Sequence, residues 1–277
     1  MTAFPLLDPP VARLQRAEGT ARLGFRHDGR STRLTTLFQD GCARVGLPHP
    51  LPDLPLEAIL INTAGGLAGG DRIAVKIDLG KRALATITTQ ACERIYRSTG
   101  LDALVENRLM LGAGARLAWL PQETILFDGG RLSRRLEVDL EGDADLLAVE
   151  AVLFGRAAMG EVLRHGLLHD RWRVRRDGRL IFAEDFRVSG DIAAQLARTA
   201  SLGGRVAMAT ILCTAAAPER LLDAVRARLG ETGGASAWDG KLVIRLVAPT
   251  GLALRQRLEP ILSLMLAGRA LPKVWHS

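Results

Sequence analysis

Residues 71–79 (DRIAVKIDL), the link Gly80-Lys81 and residues 83–89 (ALATITT) decide the fold class, because they read as two strands split by a glycine turn. The same strand-and-turn pattern repeats on both sides. Upstream, 19–25 and 32–38 are short alternating runs around His27-Asp28-Gly29, a hairpin signal, and 56–62 is a further strand. Downstream, 104–111, 115–121, 132–140 and 146–154 follow at intervals of roughly ten residues, the spacing of a sandwich or wound sheet. A second hairpin, 170–174 with 180–186, turns through Arg176-Asp177-Gly178-Arg179. Strands this dense, with almost no helical period, exclude a doubly wound α/β fold here.

The last third changes character. Residues 205–214 form an apolar strand, and Pro218 opens a helix that runs to Leu229 with Gly230 after it. Leu221, Leu222, Val225 and Leu229 make its apolar stripe. Residues 241–247 are a strand and 252–267 a second helix, followed by Gly268; Pro260 inside it should kink the helix or move its start. The expectation is a mainly β protein: a wound, multi-stranded β body with a small α/β C-terminal part carrying two helices. The division is 1–200 for the body and 201–277 for a strand-helix-strand-helix part packed on it, or one continuous domain.

The 277 residues are ample for a large core, and 48% hydrophobic with 24% charged residues excludes global disorder. Lysine occurs only at 76, 81, 241 and 273, so the net charge of +7 is carried by arginine. Arginine suits bidentate contacts to carboxylate and phosphate, at protein interfaces as well as on nucleic acid. Residues 1–10 show no basic stretch followed by an apolar core, and no segment approaches about 18 uninterrupted apolar residues. Cys42, Cys92 and Cys213 are odd in number and far apart, which reads as reduced thiols. A soluble, cytoplasmic protein is expected.

Catalytic signals are lacking. The cluster 62–71 (NTAGGLAGGD) is not a dinucleotide or phosphate loop, since no Gly-Lys-Ser/Thr ending is present and a strand follows. It reads as a tight loop needing positive φ or close backbone approach. His165 and His169 are four apart, but Gly166 between them favours a surface turn over a metal pair. No serine sits in a nucleophile motif, and Cys92 reads as a small buried residue. No enzymatic activity and no tightly bound cofactor are expected.

More telling are acids inside apolar runs: Glu150 in LLAVEAVLF, Glu123 in LPQETILF and Glu184-Asp185 in LIFAEDF. A carboxylate there is costly unless paired or wet. Two readings stand. Each acid is bridged to an arginine, such as Arg156 or Arg187, or the acids line a water-filled interior passage that hands on a divalent cation. The alternating Arg171-Trp172-Arg173-Val174-Arg175-Arg176 puts charge on one strand face, where an acidic protein partner fits better than nucleic acid.

Several longer pieces spell out a family. They are GGLAGGD (65–71), TTQ (88–90) with Tyr96-Arg97-Ser98, WLPQETILFDG (119–129), Gly155-Arg156, MGE (159–161), DRWR (170–173) and LPKVW (271–275). In this order they resemble the urease accessory protein UreD family, also called UreH, from about residue 20 to the C-terminus; Ala68 stands where many members carry a larger residue. The resemblance implies a non-enzymatic maturation factor with a wound, mostly β body and two helices. It implies partners UreF, UreG and the apo-urease subunits, with UreG hydrolysing GTP, and no nucleic-acid or membrane partner. It also implies transient Ni2+ as cargo, with an internal polar tunnel for which Thr88, Thr89, Glu150 and Glu184 are the candidate lining residues. The alternative is a pure assembly chaperone through which no nickel passes.

Overall fold

The computed structural model describes residues 15–49, 54–156, 160–215, 217–267 and 269–276. The leader reading of residues 1–10, Met159 of the MGE piece and Gly268 lie outside the described residues. In chain order the strands are β1 (Glu18–His27), β2 (Thr32–Gly41), β3 (Ala43–Gly46), β4 (Leu56–Asn62), β5 (Arg72–Leu79) and β6 (Leu84–Thr89). Next come β7 (Glu93–Ile95), β8 (Ala103–Leu111), β9 (Arg116–Leu120), β10 (Thr124–Leu126), β11 (Arg131–Leu140) and β12 (Asp145–Phe154). The last are β13 (His165–Arg176), β14 (Arg179–Asp191), β15 (Ala207–Cys213), β16 (Gly233–Trp238) and β17 (Lys241–Ala248). Helices are α1 (Ile192–Ala197), α2 (Leu222–Leu229) and α3 (Gly251–Met265).

The strands form two facing sheets. One has seven strands in the order β14-β13-β11-β8-β5-β1-β2; the other has ten, ordered β16-β17-β15-β12-β9-β6-β4-β3 with β7 and β10 as a short branch. From β4 to β13 the long strands fall alternately in one sheet and the other, so the chain winds. Neighbours β1, β5, β8, β11 and β13 are parallel, as are β4, β6, β9 and β12. Parallel neighbours ordinarily need a long crossover, usually a helix. Here a strand of the opposite sheet is that crossover, which is why glycine turns suffice.

Residues 71–89 show the logic. Ile73, Val75, Ile77 and Leu79 on β5 are buried between the sheets while Arg72 and Lys76 are exposed. β12 is buried on both faces. Leu146, Ala148, Val152 and Phe154 join the inter-sheet core, and Leu147, Val149 and Ala151 join a second core with Val225, Leu229, Leu258 and Ile261 of α2 and α3. That double burial explains the nearly unbroken apolar run 146–154. The C-terminal third therefore extends the ten-stranded sheet through β15, which pairs with β12, and covers it with two helices.

Some local readings need correction. His165 and His169 both lie in β13, not in a turn; Gly166 is required because a Cβ there would come 2.5 Å from the Gly130 carbonyl oxygen. In the run 171–176 Trp172 and Val174 are buried in the inter-sheet core, which leaves Arg171, Arg173 and Arg175 on the opposite face of β13. α3 contains Pro260 yet keeps its start, where the Thr250 hydroxyl accepts from the Ala253 N–H. β16 (GGASAW) carries no strand pattern of its own and is held by pairing with β17. Among the described residues no helix is long and apolar enough to cross a membrane.

Candidate functional site

Period-two alternation delivers charge to the space between the sheets. On β11 the inward series is Leu132, Arg134, Leu136, Val138 and Leu140; on β13 it is Leu168, Asp170, Trp172 and Val174. Glu150 holds the corresponding slot on β12, between Ala148 and Val152. Three ionisable side chains thus converge inside an apolar core. The Arg134 guanidinium donates to both Asp170 oxygens, at 3.1 and 2.6 Å, and to Thr124 Oγ1 at 3.1 Å. Its Nη1 also ion-pairs with Glu150 Oε2, and Trp119 Nε1 donates to Glu150 Oε1 at 3.1 Å.

Two carboxylates share one guanidinium, so the cluster is short of one positive charge. Burial pushes the Glu150 carboxyl above its ordinary range; Arg134 opposes that shift and Asp170 adds to it. Burial also works against the Arg134 charge, but Asp170 and Glu150 outweigh it and hold the guanidinium protonated. Glu150 Oε2 has no well-aligned hydrogen bond to add to its ion pair. It is the least satisfied oxygen in the cluster.

Arg134 and Glu150 lie at the inner end of a cavity of about 200 Å³ between the sheets. Exposed Arg44, Gly65, Gln90 and Arg94 line its outer end. Glu93 also lines it, accepting from Asn62 Nδ2 at 3.1 and 3.2 Å; burial pushes its carboxyl up to about 7 against those hydrogen bonds. Cys92 lines the cavity as well, and burial together with neighbouring Glu123 pushes its thiol up to about 11, so it is neutral at physiological pH. Among the described residues no three His, Cys, Asp or Glu side chains are grouped to hold a metal ion.

The glycine loop borders this opening. Gly65 and Gly66 have φ of 74° and 145°, and a Cβ on Gly66 would fall 2.4 Å from the Tyr96 ring. Leu67 donates to the Arg94 carbonyl and accepts from the Tyr96 N–H, which stitches the loop to β7. Positive φ and close approach together account for the cluster of glycines.

A second polar knot fastens the C-terminus to the body. Arg255 on α3 donates to Glu123 Oε1 at 3.0 Å and Oε2 at 2.6 Å, and to the Trp275 carbonyl at 2.9 Å. Gln122 Nε2 donates to the Val274 carbonyl and Trp275 Nε1 to that of Leu120. At the far end of the inter-sheet space Glu184 pairs with Arg245 of β17. All four acids found in apolar runs therefore have arginine partners: Arg134 for Glu150, Arg255 for Glu123, Arg245 for Glu184, and Arg173 for Asp185, which also pairs with His169. Arg156 pairs instead with Glu161, five residues away.

The structure separates the four residues read as lining a passage. Glu150 and Thr89 line the cavity. Thr88 points to the other face of β6, where its hydroxyl donates to the Leu120 carbonyl at 2.7 Å. Glu184 sits beyond the cavity, linked to it by register: Glu150 is opposite Thr210, and Thr210 opposite Arg245, the partner of Glu184. Arg134, Asp170 and Glu93 were missed. The first two carry a readable signal, a charge at an inward position of an alternating strand. Glu93 carries none, because β7 is three residues long.

The longest of the motif pieces that suggested a family serves both networks: Trp119 and Thr124 of WLPQETILFDG bond to Glu150 and Arg134, while Gln122 and Glu123 hold the C-terminal knot. Compared with known families, residues 17–276 match the UreD urease accessory protein model. The chain belongs to the UreD family. The urease accessory protein UreD of Mesorhizobium japonicum is 52% identical over 271 residues, 96% of each chain. That of Rhizobium leguminosarum bv. viciae is 52% identical over 266 residues, 95% of this chain and 97% of the relative. Urease accessory protein UreD 1 of Brucella melitensis is 52% identical over 267 residues, 95% of each. Of the family motifs, parts of GGLAGGD, TTQ and WLPQETILFDG line the cavity and Asp170 of DRWR joins its buried cluster, whereas Arg156 and Glu161 pair with each other and do not line it.

Proposed function

We propose that the chain is a non-catalytic scaffold of urease maturation, acting in the cytoplasm with UreF and UreG on apo-urease during GTP-dependent nickel insertion, with nickel as cargo on an inter-sheet route. The observation that carries this reading is the buried cluster of Arg134, Glu150 and Asp170 at the inner end of the cavity. Its register neighbours Thr210 and Arg245, the latter with Glu184, continue a polar line toward the opposite edge. Oxygen ligands suit a cation that must move on, because Ni2+ binds imidazole and thiolate more firmly. Cys92, the one thiol among the described residues lining the cavity, is neutral and so a poor ligand. Free cysteines support the reducing compartment, and a Gly-rich loop that enters strand β5 supports leaving GTP to UreG.

One observation favours the second reading, a pure assembly chaperone: a fixed guanidinium already occupies the carboxylates a dication would use. Co-expression of Glu150→Gln with urease and its accessory proteins separates the two. The passage reading expects urease nickel content to fall, by metal analysis of purified enzyme, while the complex with UreF is recovered in normal yield. Normal nickel content with an intact complex removes Glu150 from any route. Nickel loss only in proportion to complex loss supports the chaperone.

A further inference from the structure

The outer face of the seven-stranded sheet carries an ordered row of charge. Phe38, Arg22, Lys76, Arg108, Glu137 and Arg173 are in-register neighbours across β2, β1, β5, β8, β11 and β13. Directly opposed residues project to the same face, about 4.8 Å apart from strand to strand. Arg22, Lys76 and Arg108 therefore stand side by side, and all three are exposed. Like charges directly opposite weaken a sheet. Arg108 lies 3.8 Å from Glu137 and Arg22 sits over the Phe38 ring at 5.3 Å, but among the described residues Lys76 has no acid within ion-pair distance. A surface groove of about 600 Å³ runs along this row, with Glu106 and Arg135 on its border.

We propose that this row is a docking register for an acidic α-helix of a protein partner, laid across the strands. A helix repeats a side chain once per turn, about 5.4 Å, so three carboxylates on successive turns track three cations spaced about 4.8 Å apart, a mismatch that long side chains absorb. An extended segment repeats same-face side chains about 6.8 Å apart and falls out of step. Phe38, 47% exposed, ends the row with an apolar contact, and Glu137 ends the cationic run with the opposite sign. The complementary helix reads apolar, acid, acid, acid, base, which fixes its direction. Glu106 and Glu137 stand where a phosphate backbone would run, so nucleic acid fits less well. The face points away from the inter-sheet space, and this inference does not rest on the nickel route.

The test uses the full-length chain and a fluorescein-labelled helical peptide with Leu, Glu, Glu, Glu and Lys spaced one turn apart, read by anisotropy. Lys76→Glu is expected to weaken binding about tenfold or more. The same variant should raise the melting temperature by about 1–3 °C, because it places a carboxylate between two arginines. A peptide with its glutamates changed to lysine should prefer the variant. Equal binding by wild type and Lys76→Glu overturns the site, as does tighter binding of a DNA duplex than of the peptide at the same salt. Equal binding of a proline-interrupted peptide of the same composition overturns the helical occupant.

Discussion

Arg134 on β11 and Glu150 on β12 meet across the space between the two sheets, with side chains only 5% and 3% exposed. Asp170, on the strand beside β11, takes the other edge of the same guanidinium. One cation therefore ties three strands and both sheets together. A desolvated network of this kind loses more when one member is removed than when all are replaced by apolar groups.

Arg134→Met leaves two buried carboxylates without a counter-charge. It should destabilise the chain by about 3–5 kcal/mol, measured by urea unfolding. The triple variant Arg134→Met, Glu150→Leu, Asp170→Leu should recover most of that loss. If the triple variant is as unstable as the single one, the cluster is held by packing rather than by charge.

Glu93 should impose an unusual pH dependence. Burial raises its folded-state value from 4.5 to about 7, so both states hold the proton below 4.5, and only the folded state holds it between 4.5 and 7. Its contribution to stability is therefore full below pH 4.5, declines as pH rises toward 7 and is lost above that. The decline should amount to about 1–3 kcal/mol. Glu93→Gln should flatten this part of the stability curve; an unchanged slope assigns the titration to another group.

The two kinds of glycine in the loop should respond differently to alanine. Gly69→Ala places a Cβ 2.0 Å from Ser98 Oγ and 2.3 Å from the Leu101 carbonyl oxygen, so the loop must shift. A loss of about 1–3 kcal/mol is expected. Gly65→Ala meets nothing within 4 Å and bears only the strain of φ 74°, about 1 kcal/mol. Thermal melts of the two variants rank these effects, and a larger loss at Gly65 would contradict the geometry.

Arg255→Met should loosen the C-terminal segment. It removes the partner of Glu123, whose side chain is 4% exposed, and the donor to the Trp275 carbonyl. A loss of about 2–4 kcal/mol is expected, with faster proteolytic trimming after α3. Unchanged trimming would show that Trp275, itself buried, holds the segment without help.

Most strands were legible in the sequence because alternation is a local property: Ile73, Val75, Ile77 and Leu79 announce an inward face whatever lies opposite. The elements that escaped are those whose order comes from neighbours. β16 exists through its ladder to β17, and β7 is only three residues long beside β10. Gly166 misled for the same reason, since the close approach that demands a glycine is made by Gly130, far away in the chain.

Local alternation and motif order were enough for a wound β body with two C-terminal helices, the UreD family, and the presence of carboxylates where strands should be apolar. Which arginine answers each acid depends on contacts between distant parts of the chain. Arg134 and Asp170 are 36 residues apart, Arg255 and Glu123 are 132, and Arg245 and Glu184 are 61. Periodicity sets which way a side chain points along its own strand. The register between wound strands and the facing of two sheets set what it meets, and those depend on every turn between them.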